Sequence, residues 1–65
     1  MFDAFVAGDY LGYDWEDEEE ACKWLLDYYD DYPEAWNEVH IVERDKEGNH
    51  LRVIGLDKHG LLEEF

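Results

Sequence analysis

Serine and threonine are absent from this chain, and cysteine, proline and methionine occur once each. Without a Ser or Thr hydroxyl, serine- and threonine-type acyl transfer is excluded. A single cysteine cannot form an internal disulfide, so a reducing compartment, the cytoplasm, is expected. No run approaches the ~20 apolar residues of a membrane span. The opening Met1-Phe2-Asp3-Ala4-Phe5 lacks the positive region of a signal peptide. Positive charge is the scarcest commodity: five Lys and Arg stand against nineteen Asp and Glu, a formal net charge of −14. Such a chain repels nucleic acid and anionic lipid, so direct binding to either is not expected, and a partner should be basic.

What is present argues for a folded domain. Of the 65 residues, 46% are hydrophobic and 17% aromatic, and disordered acidic tails are poor in aromatics. The length allows one domain, residues 1–65, and excludes a doubly wound dinucleotide fold or a barrel. A chain this short buries only about 60% of its unfolded surface, which leaves little stability in reserve.

Phe2–Ala7 reads as a short aromatic strand, and Gly8 and Gly12 punctuate a loop after it. An amphipathic helix follows, from Trp15 or Asp17 to Tyr32. Asp14 or Asp17 can cap it; Asp17 with Glu20 forms a capping-box-like pair, and Pro33 ends it. At about 100° per residue, Ala21, Cys22, Leu25, Tyr28, Tyr29 and Tyr32 share one face, flanked by Trp24 and Leu26. Glu16, Glu19, Glu20, Lys23, Asp27, Asp30 and Asp31 gather opposite.

Residues 36–57 read as a β-hairpin. Val39, Ile41 and Val42 form one β-branched run, and Leu51, Val53 and Ile54 the next. Asp45-Lys46-Glu47-Gly48 suits a type I turn with Gly48 in the left-handed position. The simplest register pairs Ile41 with Val53 and Glu43 with Leu51, which puts Val39, Ile41, Leu51 and Val53 under the helix. Leu61 to Phe65 should anchor the terminus as a short strand or helical turn. The expected fold is α+β, in the order β-α-β-β, with one helix on a small antiparallel sheet. The first strand can pair with either strand of the hairpin.

Few patterns in the chain point to chemistry. Read from Asp9, the EF-hand pattern has Leu11 and Tyr13 at ligand positions; read from Asp14, Glu19 replaces the obligatory glycine. Cys22 lies on the apolar helix face, and His40, His50 and His59 lack zinc-ligand spacing. No metal, no cofactor and no catalytic residue is expected, and the chain is not read as an enzyme.

The charge distribution is more telling. Residues 1–38 hold thirteen acids and one base, Lys23, while residues 39–65 hold six acids and four bases. Mutual repulsion in the first part opposes compaction, so the excess asks for a functional or environmental reason. Carboxylates one helical turn apart lie at spacings comparable with DNA phosphates, which supply one charge per 3.4 Å of axis on each strand. The candidate partner-binding residues are Asp14, Glu16, Asp17, Glu18, Glu19, Glu20, Asp27, Asp30 and Asp31. Tyr10 or Trp15, beside the helix start, is the candidate aromatic anchor.

In size, charge and aromatic content, and in Asp14-Trp15-Glu16-Asp17-Glu18-Glu19-Glu20 with Asp27, Asp30 and Asp31, the chain resembles the small acidic DNA-mimic inhibitors made by phages and other mobile elements. Among these it is most similar in scale to the anti-CRISPR proteins. The resemblance is one of type over the whole chain, without a shared motif. It implies stoichiometric binding by a monomer to a basic nucleic-acid-binding protein or complex of a bacterial host's cytoplasm. Two other readings fit an acidic surface. One is a module that binds a basic protein without imitating DNA, such as an antitoxin, anti-sigma factor or chaperone. The other is a salt-adapted domain, which the near-neutral second part of the chain disfavours.

Overall fold

The structure, a computed structural model, describes residues 1–65. It is an α+β domain in which one helix covers one face of a five-stranded antiparallel sheet. The strands are β1 (Phe2–Val6), β2 (Asp9–Tyr10), β3 (Val39–Arg44), β4 (His50–Leu56) and β5 (Leu62–Glu64), and the helix is α1 (Glu18–Asp31). Spatial order is β2-β1-β3-β4-β5, so β1 lies against the first strand of the hairpin. No helix is long and apolar enough to cross a membrane.

Two short strands enlarge the expected β-α-β-β order. Asp9 and Tyr10, read from sequence as loop, turn back and pair with Val6 and Phe5. The reversal runs through Ala7 at φ 49° and Gly8 at φ 94°, the two positive φ values that a two-residue hairpin loop requires. Ala-Gly is a weaker signal for that turn than Asn-Gly, which is why β2 was not anticipated. The chain then continues along the same edge, where Phe2 and Trp15 exchange both backbone hydrogen bonds, at 2.7 and 2.8 Å. The terminal segment forms β5 against β4.

Helix α1 starts where Asp17 caps it: the carboxylate accepts the Glu19 N–H at 3.0 Å. Tyr32 is the C-cap, its N–H bonded to the Tyr28 carbonyl at 2.8 Å, and Pro33 opens a 3₁₀ turn, Pro33–Ala35. Ala21 and Leu25, both fully buried, press this helix onto Phe2, Ala4, Val39, Ile41, Ile54 and Leu56. Alanine at positions 4 and 21 lets the helix sit close to the sheet.

The hairpin forms in a different register from the expected one. Ile41 pairs with Ile54 and Glu43 with Arg52, because a bulge at Glu43/Arg44 leaves Leu51 as an extra residue on β4. A bulge moves every later side chain to the other face. Ile54 and Leu56 therefore enter the core, Leu51 is 57% exposed, and Val53 faces away from the helix. Of the residues expected on the helix face and under it, Leu25 and Ile41 are central to the core, Tyr28 and Tyr29 pack at its margin, and Val53 lies on the opposite side. The turn itself forms as read. Gly48 adopts φ 87° and donates to the Asp45 carbonyl at 3.1 Å, and the Asp45 carboxylate accepts the N–H groups of Glu47 and Asn49, both at 2.9 Å. These bonds hold the Asp45 carboxyl below its usual pKa.

Candidate functional site

The acidic residues separate into those the fold uses and those it leaves free. Asp17 is committed to the helix cap. Asp14, at φ 49°, lies 3.6 Å from Arg44. Glu18 points to the side of α1 that overlooks β4, where it pairs with Arg52; Arg52 also binds Glu43 at 2.7 Å. These two carboxylates hold the Arg52 pKa above its ordinary value. Three of the nine candidate partner-binding acids therefore have internal work.

The other six, Glu16, Glu19, Glu20, Asp27, Asp30 and Asp31, are exposed and form no ion pair. Helical periodicity arranges the five on α1 into two rows. At about 100° per residue, Glu19, Lys23 and Asp30 fall to one side of the exposed face. Glu20, Asp27 and Asp31 run along one flank. Lys23 makes no ion pair either, so these five carboxylates of α1 have no neutralising partner.

Beside the second row lies a file of aromatic rings. Tyr13 stacks on Trp15 with centroids 4.6 Å apart. Trp15 meets Trp24 at 5.6 Å, Trp24 stacks on Tyr28 at 5.1 Å, and Tyr28 meets Tyr32 at 5.0 Å. Residues 24, 28 and 32 are spaced i, i+4, i+8, so each stands one turn above the last. Their inner edges pack on the core, whereas Tyr13 and Tyr32 are about half exposed. Trp15 thus stands beside the acidic helix, as the sequence suggested for an anchor.

Tyr10 does not. It lies on the face of the sheet turned away from α1, where its ring meets Phe5 at 4.9 Å and its hydroxyl bonds His50 Nε2 at 2.9 Å. That face carries a shallow hollow of about 290 Å³ over Val42 and Val53, rimmed by Phe5, Tyr10, His40, His50 and Phe65. His40 sits edge-on to Phe65, and burial lowers its pKa. Arg52 faces the helix side, opposite Glu43, because of the shifted register. No three His, Cys, Asp or Glu side chains are placed to hold one metal ion.

Sequence reading missed the most deeply buried charge. Asp3 is 1% exposed and accepts the N–H groups of Ala4 (2.8 Å), Gly12 (3.2 Å) and Tyr13 (2.9 Å), and Arg44 Nη2 at 3.2 Å. It ties the loop that carries Tyr13 and Trp15 to β1, and so positions the head of the aromatic file. Only its place in a strand of Phe and Ala hinted at burial.

The single thiol lies beneath this surface. Burial pushes the Cys22 thiol up, Glu18 pushes the same way and Arg52 opposes them, so Cys22 stays protonated at neutral pH. The surface suits recognition by charge and ring contact. Comparisons with protein families, curated proteins and solved structures returned no match to this chain.

Proposed function

We propose that the chain is a stoichiometric inhibitor that acts as a DNA mimic, its acidic helix occupying the basic DNA-binding surface of a host defence complex, as anti-CRISPR proteins do. One observation carries this reading. Glu16, Glu19, Glu20, Asp27, Asp30 and Asp31 stay unpaired and exposed in a domain that uses both of its arginines to neutralise other acids. Uncompensated charge of this density destabilises a small domain, and a basic partner would relieve it. Helix α1 has 14 residues and a length of about 21 Å, comparable with six base-pair steps of 3.4 Å. The target is a basic nucleic-acid-binding protein or complex, and the action is binding without turnover.

The test is competition. Labelled DNA is titrated off its receptor with the chain and with a Glu19→Lys, Asp27→Lys double variant, whose side chains both face solvent. The chain should displace DNA, increasingly poorly as salt rises, and the variant should not. A receptor that holds DNA and the chain together, with neither affinity changed, rules out mimicry. Loss of binding on substitution of His40 or His50, with the helix reversals harmless, places the interface on the other face.

A further inference from the structure

The uncovered face of the sheet breaks the usual alternation. An antiparallel sheet packed on one side carries polar residues on the other. Here Phe5, Tyr10, Val42, Val53 and Phe65 occupy the side turned away from α1, with His40 and His50 beside them. None of the nineteen acids lines the hollow they form. Arg44, which lies over the Tyr10 ring 5.0 Å from its centroid, is held by Asp3 and Asp14. A surface rich in rings and depleted of charge has the composition of the centre of a protein interface.

Phe65 is placed for contact. Its ring lies across β4 at Gly55, where a Cβ would stand 2.5 Å from the ring and 2.9 Å from His40. Its N–H donates to the Val53 carbonyl at 2.8 Å, so the backbone is fixed, yet the residue is 66% exposed. Tyr10, across the sheet on β2, is 42% exposed, whereas Val42 on the floor is buried. The two rings thus stand as walls above an apolar floor.

Charge and size name a second copy of the chain as the occupant. Contact through α1 would press the free carboxylates of two copies together. Contact through the uncovered sheet faces does the opposite. Packed sheets lie about 10 Å apart and a helix adds about 10 Å on each outer side, so the two acidic helices would stand roughly 30 Å apart. That is several Debye lengths of about 8 Å, and their repulsion is largely screened. The domain measures 33 × 19 × 19 Å, and five strands about 4.8 Å apart account for one of the 19 Å widths. A 33 × 19 Å face supplies roughly 600 Å² per copy, about 1,200 Å² for a pair, the lower end of specific interfaces.

We infer that two copies of this chain associate through this face, sheet against sheet about a two-fold axis, with each Phe65 ring directed toward the hollow of the other copy. The pairing does not depend on the proposed function, and it leaves both acidic helices open on opposite outer sides.

Sedimentation equilibrium of the full chain, from micromolar to millimolar concentration at physiological ionic strength, tests it. The mass should rise to twice that of one chain. Added salt should strengthen the pairing by screening what repulsion remains, the reverse of its effect on a contact between α1 and a basic partner. Phe65→Asp and, separately, His50→Glu should each weaken the association at least about thirtyfold, because a symmetric pair suffers each change twice. Both residues are exposed, so circular dichroism should show each variant folded. Glu20→Gln with Asp27→Gln should not weaken it. Amide shifts that depend on concentration should centre on Val42 and Val53. The mass of a single chain at millimolar concentration overturns the inference, as does association that survives both sheet-face variants. Loss of association in the helix variant, or shifts confined to α1 or to the β5 edge, overturns it as well. None of these failures touches the competition with DNA, which reads α1 alone.

Discussion

Asp3→Ala removes the centre of the polar network that holds the loop to β1. The substitution removes the acceptor for three backbone N–H groups and for Arg44 at a site 1% exposed. A hydrogen bond to a charged group contributes about 1.5–3 kcal/mol net, and breaking a buried ion pair costs about 3–5 kcal/mol. The four contacts act as one unit, so these figures do not add. Arg44 keeps Asp14 and is partly exposed, which holds the cost near the lower figure. We expect a loss of about 3–4 kcal/mol, against a total of roughly 3–10 kcal/mol for a domain of this length. The melting midpoint should fall by at least about 12 °C, at about 4–8 °C per kcal/mol. Asp3→Asn keeps the shape and one carbonyl acceptor and should lose about half as much. Asp14→Asn tests the exposed partner of Arg44 without altering its left-handed backbone, and should stay within about 0.5 kcal/mol. Urea titrations followed by tryptophan fluorescence give the midpoints, and hydrogen exchange at the Gly12 and Tyr13 amides reports the loop. If Asp3→Ala leaves the midpoint within about 0.5 kcal/mol of the original, or if Asp14→Asn costs as much, Asp3 does not organise the loop.

Other perturbations separate the remaining forces. Leu25→Ala opens a void between α1 and the sheet and should cost about 2–5 kcal/mol in chemical denaturation; an unchanged midpoint contradicts the burial of Leu25. The folded-state pKa of His40 is lowered by burial. The unfolded chain therefore binds a proton that the fold resists as pH drops below about 6.5, and stability is lost through that window. His40→Leu should lack this loss, so the gap between the two midpoints should shift from pH 7.5 to 5.5, and a constant gap refutes the assignment. Added salt should raise the midpoint by screening the free carboxylates, with most of the gain complete near physiological ionic strength, where the Debye length is about 8 Å. A domain that stays unfolded until molar salt supports salt adaptation instead.

Much of the domain was already decided in one dimension. The helix, its Asp17 cap, its Pro33 stop and its division into apolar and acidic faces follow from residues three or four apart, where periodicity and capping act locally. The hairpin and the Asp45–Gly48 turn are local for the same reason, and so is the excess of carboxylates on α1. Tertiary structure decided the remainder, because each part depends on contacts between residues far apart in the chain. One bulged residue, Leu51, exchanged the face of Val53 for those of Ile54 and Leu56, an outcome set by which register fills the core best. Strand order placed β1 beside β3 and drew Asp3 to Arg44, 41 residues away. The same packing took Asp14 and Glu18 out of the free acidic surface by giving each an arginine, and it carried Tyr10 to the opposite face of the sheet. It also brought Tyr13 and Trp15 from the loop onto the Trp24, Tyr28 and Tyr32 file of the helix. Helical spacing alone predicts three rings in that file; Tyr13 and Trp15 joined it only because Asp3 and the Phe2–Trp15 bridge fold the loop back along β1.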